Sequence, residues 1–132
     1  MGASGDKEQP RGELAIRTVA MPADANASGD IFGGWLLSHM DLAGGVLAHG
    51  RARGRVATVG IESMTFHRPV FVGDVLCAYG ELARVGRTSL TYRVEAWVIR
   101  LEGGERLKVT EGVFTYVAIG DDRRPRPVPP EA

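Results

Sequence analysis

The residues best suited to chemistry lie in one stretch, Asp24-Ala-Asn-Ala-Ser-Gly-Asp-Ile-Phe-Gly-Gly-Trp-Leu-Leu-Ser-His-Met-Asp-Leu-Ala-Gly-Gly45. From Ile31 to Gly50 the one formally charged residue is Asp41, and eleven of those twenty positions are Ile, Phe, Trp, Leu, Met, Val or Ala. A helix that is apolar on nearly every side is normally a buried one. An unpaired carboxylate is costly to bury, so Asp41 must be paired, protonated or facing a cavity. At about 100° per residue Gly34, Leu37, Ser38, Gly44 and Gly45 share its side of the helix, and His39 points roughly opposite. The Asp41 face is therefore built mostly of small residues, and a second group can come close to it.

The approach to this helix carries a complementary signal. Asp24, Asn26, Ser28, Gly29 and Asp30 form a polar, turn-rich entry, and Gly33-Gly34 leave backbone N–H groups uncovered at the helix start. Such a terminus favours developing negative charge, and its glycines let a ligand oxygen reach the amides. A carboxylate about two turns further along is the companion that an acyl-transfer site needs. The structural alternative is an Asp41 bonded to a backbone group on a neighbouring strand, since structural networks also hold carboxylates.

Several elements must position these groups. Glu13 to Ala20 reads as a short strand, and the helix is expected from about Gly33 to His49, stopping near Gly50 and Gly54. Arg51, Arg53 and Arg55 bring positive charge to its C-terminal end. Strands are expected over Arg55–Phe66, Val75–Arg84, Thr88–Leu101 and Arg106–Ile119, with turns at Gly73-Asp74 and Val85-Gly86-Arg87 and a two-residue hairpin at Gly103-Gly104. In the third of these, Leu90, Tyr92, Val94, Ala96 and Val98 alternate with polar residues, the mark of a half-buried strand. In the last, Leu107, Val109, Val113, Val117 and Ile119 fall on one parity. The order predicts an α+β fold in which one antiparallel sheet curls around one central helix. Its uncovered edges and outer face, where Trp97 and Ile99 lie, predict dimerisation.

At 132 residues the chain is long enough for one domain, expected over 13–120, with a disordered segment at 1–12 and a mobile tail at 121–132. Lys plus Arg and Asp plus Glu both number 16, so charge gives no reason to expect nucleic acid as a partner. The single Cys77, the polar opening and the absence of a convincing membrane span predict a soluble, cytoplasmic protein without a signal peptide. There is no Gly-x-Ser-x-Gly elbow, Gly-x-Gly-x-x-Gly or P-loop, and His39, His49, His67 and Cys77 show no metal-ligand spacing. Cys77 reads as packing and His39 as a packed or interface histidine, while His67, beside Arg68-Pro69, is a candidate ligand contact.

Several motifs match one known family. Arg17-Thr-Val-Ala-Met-Pro22, Asn26-Ala-Ser-Gly-Asp-Ile-Phe-Gly-Gly-Trp35 and Met40-Asp41 resemble the hot-dog-fold acyl-CoA thioesterases of the bacterial YciA-like branch. Thr58-Val-Gly-Ile-Glu-Ser-Met-Thr-Phe66, Arg68-Pro-Val70, Val72-Gly-Asp-Val75, Val85-Gly-Arg-Thr-Ser89 and Val94-Glu-Ala-Trp-Val98 extend the likeness over roughly 14–119. The resemblance implies a hot-dog fold, edge-paired dimers that assemble further as trimers of dimers, and hydrolysis of acyl-CoA. It implies no separate cofactor, because coenzyme A belongs to the substrate.

Carried over by position, Asp41 matches the family's helix carboxylate and Asn26 the asparagine of the preceding loop, two groups that meet across a subunit interface in the family. The Gly33 and Gly34 amides match the donors that polarise the thioester carbonyl. The Gly86-Arg87-Thr88-Ser89 turn resembles the region that helps hold coenzyme A, with Arg87 and Arg68 suited to its phosphates. Ser28 stands where relatives often carry a second Asn, and His39 where Gln is common. The resemblance implies that Asp41 acts either as general base or as nucleophile. Two rival activities share the pocket: a hot-dog dehydratase, which needs a His–carboxylate pair, and a non-catalytic acyl-CoA sensor, which does not need Asp41.

Overall fold

The period-two runs of the second half of the chain form one sheet, and the apolar run before them forms the helix that lies on it. A computed structural model describes residues 8–131. Strand β1 (Glu13–Val19) is followed by helix α1 (Gly33–Ala52), and then by β2 (Val56–Phe66), β3 (Val75–Val85), β4 (Ser89–Ile99) and β5 (Arg106–Ala118). The sheet order is β1-β3-β4-β5-β2, antiparallel at every pairing. This is the expected α+β arrangement, with β1 and β2 at the two edges.

Helix α1 touches all five strands. It buries Leu36, Met40, Ala43, Gly44, Ala48 and Ala52 against the inward residues of β4: Leu90, Tyr92, Val94, Ala96 and Val98. Gly44 has to be glycine, because a Cβ there collides with the Tyr116 hydroxyl. The helix is not buried all round, as its composition predicts. Leu42 and Val46 stand 57% and 56% exposed on the face turned away from the sheet. A single sheet covers one side of a helix, and the other side of α1 stays open in one chain.

Four further differences from the sequence reading have local causes. The helix runs past Gly50 to Ala52 and ends where Arg53 turns left-handed (φ 55°), its carbonyls at His49 and Gly50 accepting the Gly54 and Arg53 N–H groups. The single parity expected for β5 breaks at Val109, an extra residue between the pairs Trp97–Lys108 and Ala96–Thr110. Beyond it Phe114, Tyr116 and Ala118 are buried, and Val113 and Val117 move to the other face. The β4–β5 hairpin spans Leu101 to Gly104, closed by the Arg100 N–H donating to the Glu105 carbonyl at 2.8 Å, with both Gly103 and Gly104 at positive φ. Trp97 is on the outer face as expected, yet it is only 3% exposed, packed with Cys77 and Tyr79.

The ends are held as well. Of the 1–12 segment expected to be disordered, 1–7 lie outside the described residues, but Glu8 pairs with Lys108 at 3.0 Å and Arg11 with Glu81 at 3.3 Å. The tail expected to be mobile is tied to the body. Arg126 Nη2 donates to the Ala52 carbonyl at 2.9 Å and Nε to the Ile119 carbonyl at 3.0 Å, and the Val128 N–H donates to the Arg87 carbonyl at 2.8 Å. Val128 also packs against the core.

Candidate active site

Asp41 sits mid-helix, where α1 faces the start of β2. Its Oδ1 accepts a hydrogen bond from Thr58 Oγ1 at 2.7 Å. Its backbone carbonyl, one turn before the Gly45 amide, accepts a second from the Tyr116 hydroxyl at 2.8 Å. Burial, and then the negative charge of Asp41, push the Tyr116 phenol well above its ordinary range, so it remains a protonated donor. Neither Thr58 nor Tyr116 stands out in the sequence. Threonine and tyrosine are ordinary strand residues, and only the pairing of β2 with β5 (Thr58 opposite Tyr116) brings both to Asp41, one at its carboxylate and one at its carbonyl.

The carboxylate opens into a cleft of about 480 Å³ lined by Asp41, Leu42, Gly45, Val46, His49, Arg55, Val56, Thr58 and Tyr116. Gly45 is on the side expected for Asp41, whereas Gly34, Leu37 and Ser38 do not line this space. His49 lies eight residues beyond Asp41, about 12 Å along the helix axis, too far to form a His–carboxylate pair. His39 Nδ1 is instead 2.9 Å from the Trp35 carbonyl, and its ring packs on Trp35, as a packed histidine should.

The helix start forms a second, separate cleft of about 360 Å³ that includes Phe32, Gly33, Leu36, Phe66, His67 and Arg68. No side chain caps the helix at Phe32, so the first amides of α1, at Gly33 and Gly34, are left without a capping acceptor. A Cβ on Gly34 would meet nothing within 4 Å, and the space over it is open to a ligand. The Ile31 N–H donates to the Val70 carbonyl at 3.1 Å and the Phe32 N–H to the Asp24 carbonyl at 3.3 Å, which ties this terminus to both flanking loops. Arg68 Nη1 is turned to the Lys108 carbonyl at 2.8 Å.

Asn26 lies in neither cleft. Its Oδ1 accepts the N–H groups of Ser28 at 2.9 Å and Asp30 at 3.1 Å, closing its own loop. That use of the oxygen fixes the amide orientation and leaves the Nδ2 donors as the groups Asn26 can offer elsewhere. The Gly86–Ser89 hairpin is at the far end of the sheet, closed by the Gly86 N–H donating to the Ser89 carbonyl at 2.8 Å, with Arg87 exposed. The Thr88 carbonyl accepts the Ala118 N–H at 2.9 Å, which places the hairpin beside the end of β5. One chain thus gathers Gly33 with Arg68, and Asp41 with Thr58, but it does not unite the two sets with Asn26 or Arg87.

The chain is similar to known proteins over most of its length. Residues 28–102 match the Thioesterase superfamily. The acyl-CoA thioester hydrolase YciA of Salmonella typhimurium is 54% identical over 123 residues, covering 91% of this chain and 92% of that protein. The hexameric thioesterase y2039 from Yersinia pestis superposes with a TM-score of 0.90 at 51% identity, covering 93% of this chain and all of its own. Cj0915, a hexameric hotdog fold thioesterase of Campylobacter jejuni, superposes with a TM-score of 0.86 at 37% identity, over 89% of this chain and 91% of its own. With one α-helix, among the described residues, laid on a five-stranded antiparallel sheet, this chain has the hot-dog fold and belongs to the thioesterase superfamily.

Proposed function

We propose that this protein hydrolyses acyl-CoA thioesters to the free acid and coenzyme A, with Asp41 as the acting group. The observation that carries the reading is the Asp41 carboxylate, held by the Thr58 hydroxyl at 2.7 Å and opening on a cleft with apolar walls. Thr58 takes up Oδ1 and leaves Oδ2 to act. As a base, Oδ2 removes a proton from water while the water oxygen bonds to the carbonyl carbon. As a nucleophile, it attacks that carbon itself and gives a mixed anhydride, which water then cleaves. In both cases the carbonyl electron pair moves onto oxygen, where the Gly34 N–H, with Gly33, stabilises it; about 10 Å of helix separates Gly34 from Asp41 in one chain, so these amides come from a neighbouring copy. The carbon–sulfur bond then breaks, and coenzyme A leaves as thiolate and takes up a proton.

The site is completed between copies of the chain. Support comes from the open Leu42–Val46 face of α1 and from edge strand β2, where Val59 is 61% and Phe66 53% exposed. The hexameric relatives y2039 and Cj0915 point the same way. In this assembly, a dimer at least and a trimer of dimers in full, the Asn26 amide of one copy orients water or carbonyl at the Asp41 of another. The Gly86, Arg87, Thr88 and Ser89 turn, with Arg68, holds the coenzyme A phosphates. The reading places the protein in the cytoplasm; among the described residues no helix is long and apolar enough to cross a membrane.

Thiol release from acetyl- to palmitoyl-CoA, followed with a thiol reagent, tests the reading. Steady turnover on at least one member of the series is the expected result. Binding without thiol release would instead mean a sensor, and loss of water from a hydroxyacyl-CoA a dehydratase. Solvent oxygen found in the Asp41 carboxylate after a single turnover in heavy-oxygen water would establish the nucleophile role, since it requires an anhydride that water opens at the Asp41 carbonyl.

A further inference from the structure

The Asp41 cleft has one carboxylate, Asp41, and two basic side chains, His49 and Arg55, among its lining residues. The walls between them are Leu42, Gly45, Val46 and Val56, all without charge. His49 is in the last turn of α1, and Arg55 directly precedes β2. Along the helix, His49 is eight residues from Asp41, about 12 Å. Along β2, Arg55 is three residues from Thr58, about 10 Å. The Arg55 backbone is pinned there, its carbonyl accepting the Ile119 N–H at 2.9 Å. Its side chain makes no salt bridge among the described residues. The neighbouring arginines are otherwise engaged, Arg51 with the Pro129 carbonyl and Arg126 with the carbonyls of Ala52 and Ile119.

We infer that Arg55, with His49, forms an anion-recognition end of the Asp41 cleft that binds a negatively charged group of the substrate remote from the reacting carbonyl. The inference rests on the thioester-hydrolase reading and adds a binding determinant to it. A cleft with apolar sides and a guanidinium at its end suits an anion carried on an apolar or flexible arm, because the arm is desolvated at little cost while the anion keeps a charge-assisted partner. Two parts of an acyl-CoA have that form. One is the terminal carboxylate of a dicarboxylic acyl group. The other is the phosphate end of coenzyme A at the far end of its pantetheine arm. The second is compatible with the position of the Arg87 hairpin, since β2, β5 and β4 are neighbours and the Thr88 carbonyl is bonded to Ala118, the partner of Val56.

The test compares hexanoyl-CoA, adipoyl-CoA and the two matching pantetheine thioesters on wild type, Arg55→Ala, Arg55→Lys and His49→Gln. Turnover and the binding constant are both measured, binding in an Asp41→Asn background that leaves the thioester intact. If the anion is the acyl carboxylate, Arg55→Ala lowers kcat/KM for adipoyl-CoA about tenfold relative to hexanoyl-CoA, and Arg55→Lys recovers most of the ratio. If it is the phosphate end, both CoA thioesters weaken by a similar factor while the pantetheine thioesters change far less, again with recovery by Lys. Changes that are equal for all four substrates, or absent, overturn the inference. A wild-type protein that releases no thiol overturns the hydrolase reading alone, because the binding constants still decide whether Arg55 recognises an anion. No measurable binding of any thioester overturns both.

Discussion

Thr58 reaches from strand β2 to helix α1 and sets its hydroxyl 2.7 Å from Asp41 Oδ1. This bond joins the carboxylate to an edge strand and fixes which of its oxygens is free to react. Thr58→Val keeps the shape of the side chain and its strand propensity but removes the donor. A hydrogen bond to a charged group is worth roughly 1.5–3 kcal/mol, so kcat should fall at least about tenfold. Thr58→Ser should recover most of it, with the melting temperature little changed. An effect confined to KM, with kcat retained, would show that Thr58 shapes the cleft and not the carboxylate.

Asp41→Asn and Asp41→Ala should nearly abolish hydrolysis and leave the fold intact. The side chain is on the open cleft and packs no core, so the change carries little structural cost. Loss of a base or nucleophile lowers kcat by at least about 10²-fold. Circular dichroism and steady-state kinetics measure the two halves of the expectation, and a variant that keeps more than about a tenth of wild-type kcat rejects it.

How far the sequence revealed all this depended on the kind of signal. The alternation of Leu90 to Val98 located the inward face of β4, and a lone Asp41 in an apolar run marked a residue that lines a cleft. The inserted Val109 was not, because a bulge changes register without changing residue type, and it moved Val113 and Val117 to the other face. The proline-rich tail reads as mobile because its anchors are main-chain oxygens of Ala52, Ile119 and Arg87, which leave no trace in composition. Asn26, Asp41 and Arg87 were each legible from resemblance. For Asn26 and Asp41 the separation within one chain was legible in the same way, because that resemblance places the two on different subunits.

If Asn26 and Asp41 act together across chains, two inactive variants can complement. Mixing Asn26→Ala with Asp41→Ala chains under subunit exchange produces interfaces in which one of the two sites has both groups intact. Activity should rise well above that of either variant alone. Mixed oligomers identified by mass spectrometry but still inactive would rule out cooperation between the two residues across the interface.

Alkaline stability should report on the two tyrosines that bond the helix backbone. Tyr92 donates to the Leu47 carbonyl and Tyr116 to the Asp41 carbonyl. Burial is the first cause that raises both phenols above their ordinary value of 10.0. Below about pH 10 both phenols keep their protons in the folded and the unfolded chain. Above it the unfolded chain gives up protons that the folded chain keeps, so unfolding releases protons and stability falls as pH rises. The melting temperature should therefore decline from about pH 10 upward, and Tyr116→Phe should flatten the decline while lowering stability at neutral pH. Equal slopes in wild type and variant would mean that Tyr116 does not hold its proton in the folded state.

Arg87 should govern the coenzyme A end of the substrate through binding alone. It stands exposed at the tip of the Gly86–Ser89 hairpin, and its carbonyl accepts the Val128 N–H at 2.8 Å, so the tail steadies the hairpin backbone without using the guanidinium. An exposed cation acts through Coulomb attraction that salt screens, worth at most about 1 kcal/mol per contact. Arg87→Ala should then raise KM for acyl-CoA several-fold and keep kcat within about threefold, the pattern of a lost interaction common to ground state and transition state. The penalty should shrink as salt is added. Thioesters of pantetheine, which lack the nucleotide, should not respond to the substitution. Removing residues 124–132 should produce a milder form of the same pattern, because the hairpin loses its Val128 anchor but keeps its charge. If Arg87→Ala slows both substrate types alike, the residue supports the fold or the chemistry, and the phosphates are held elsewhere.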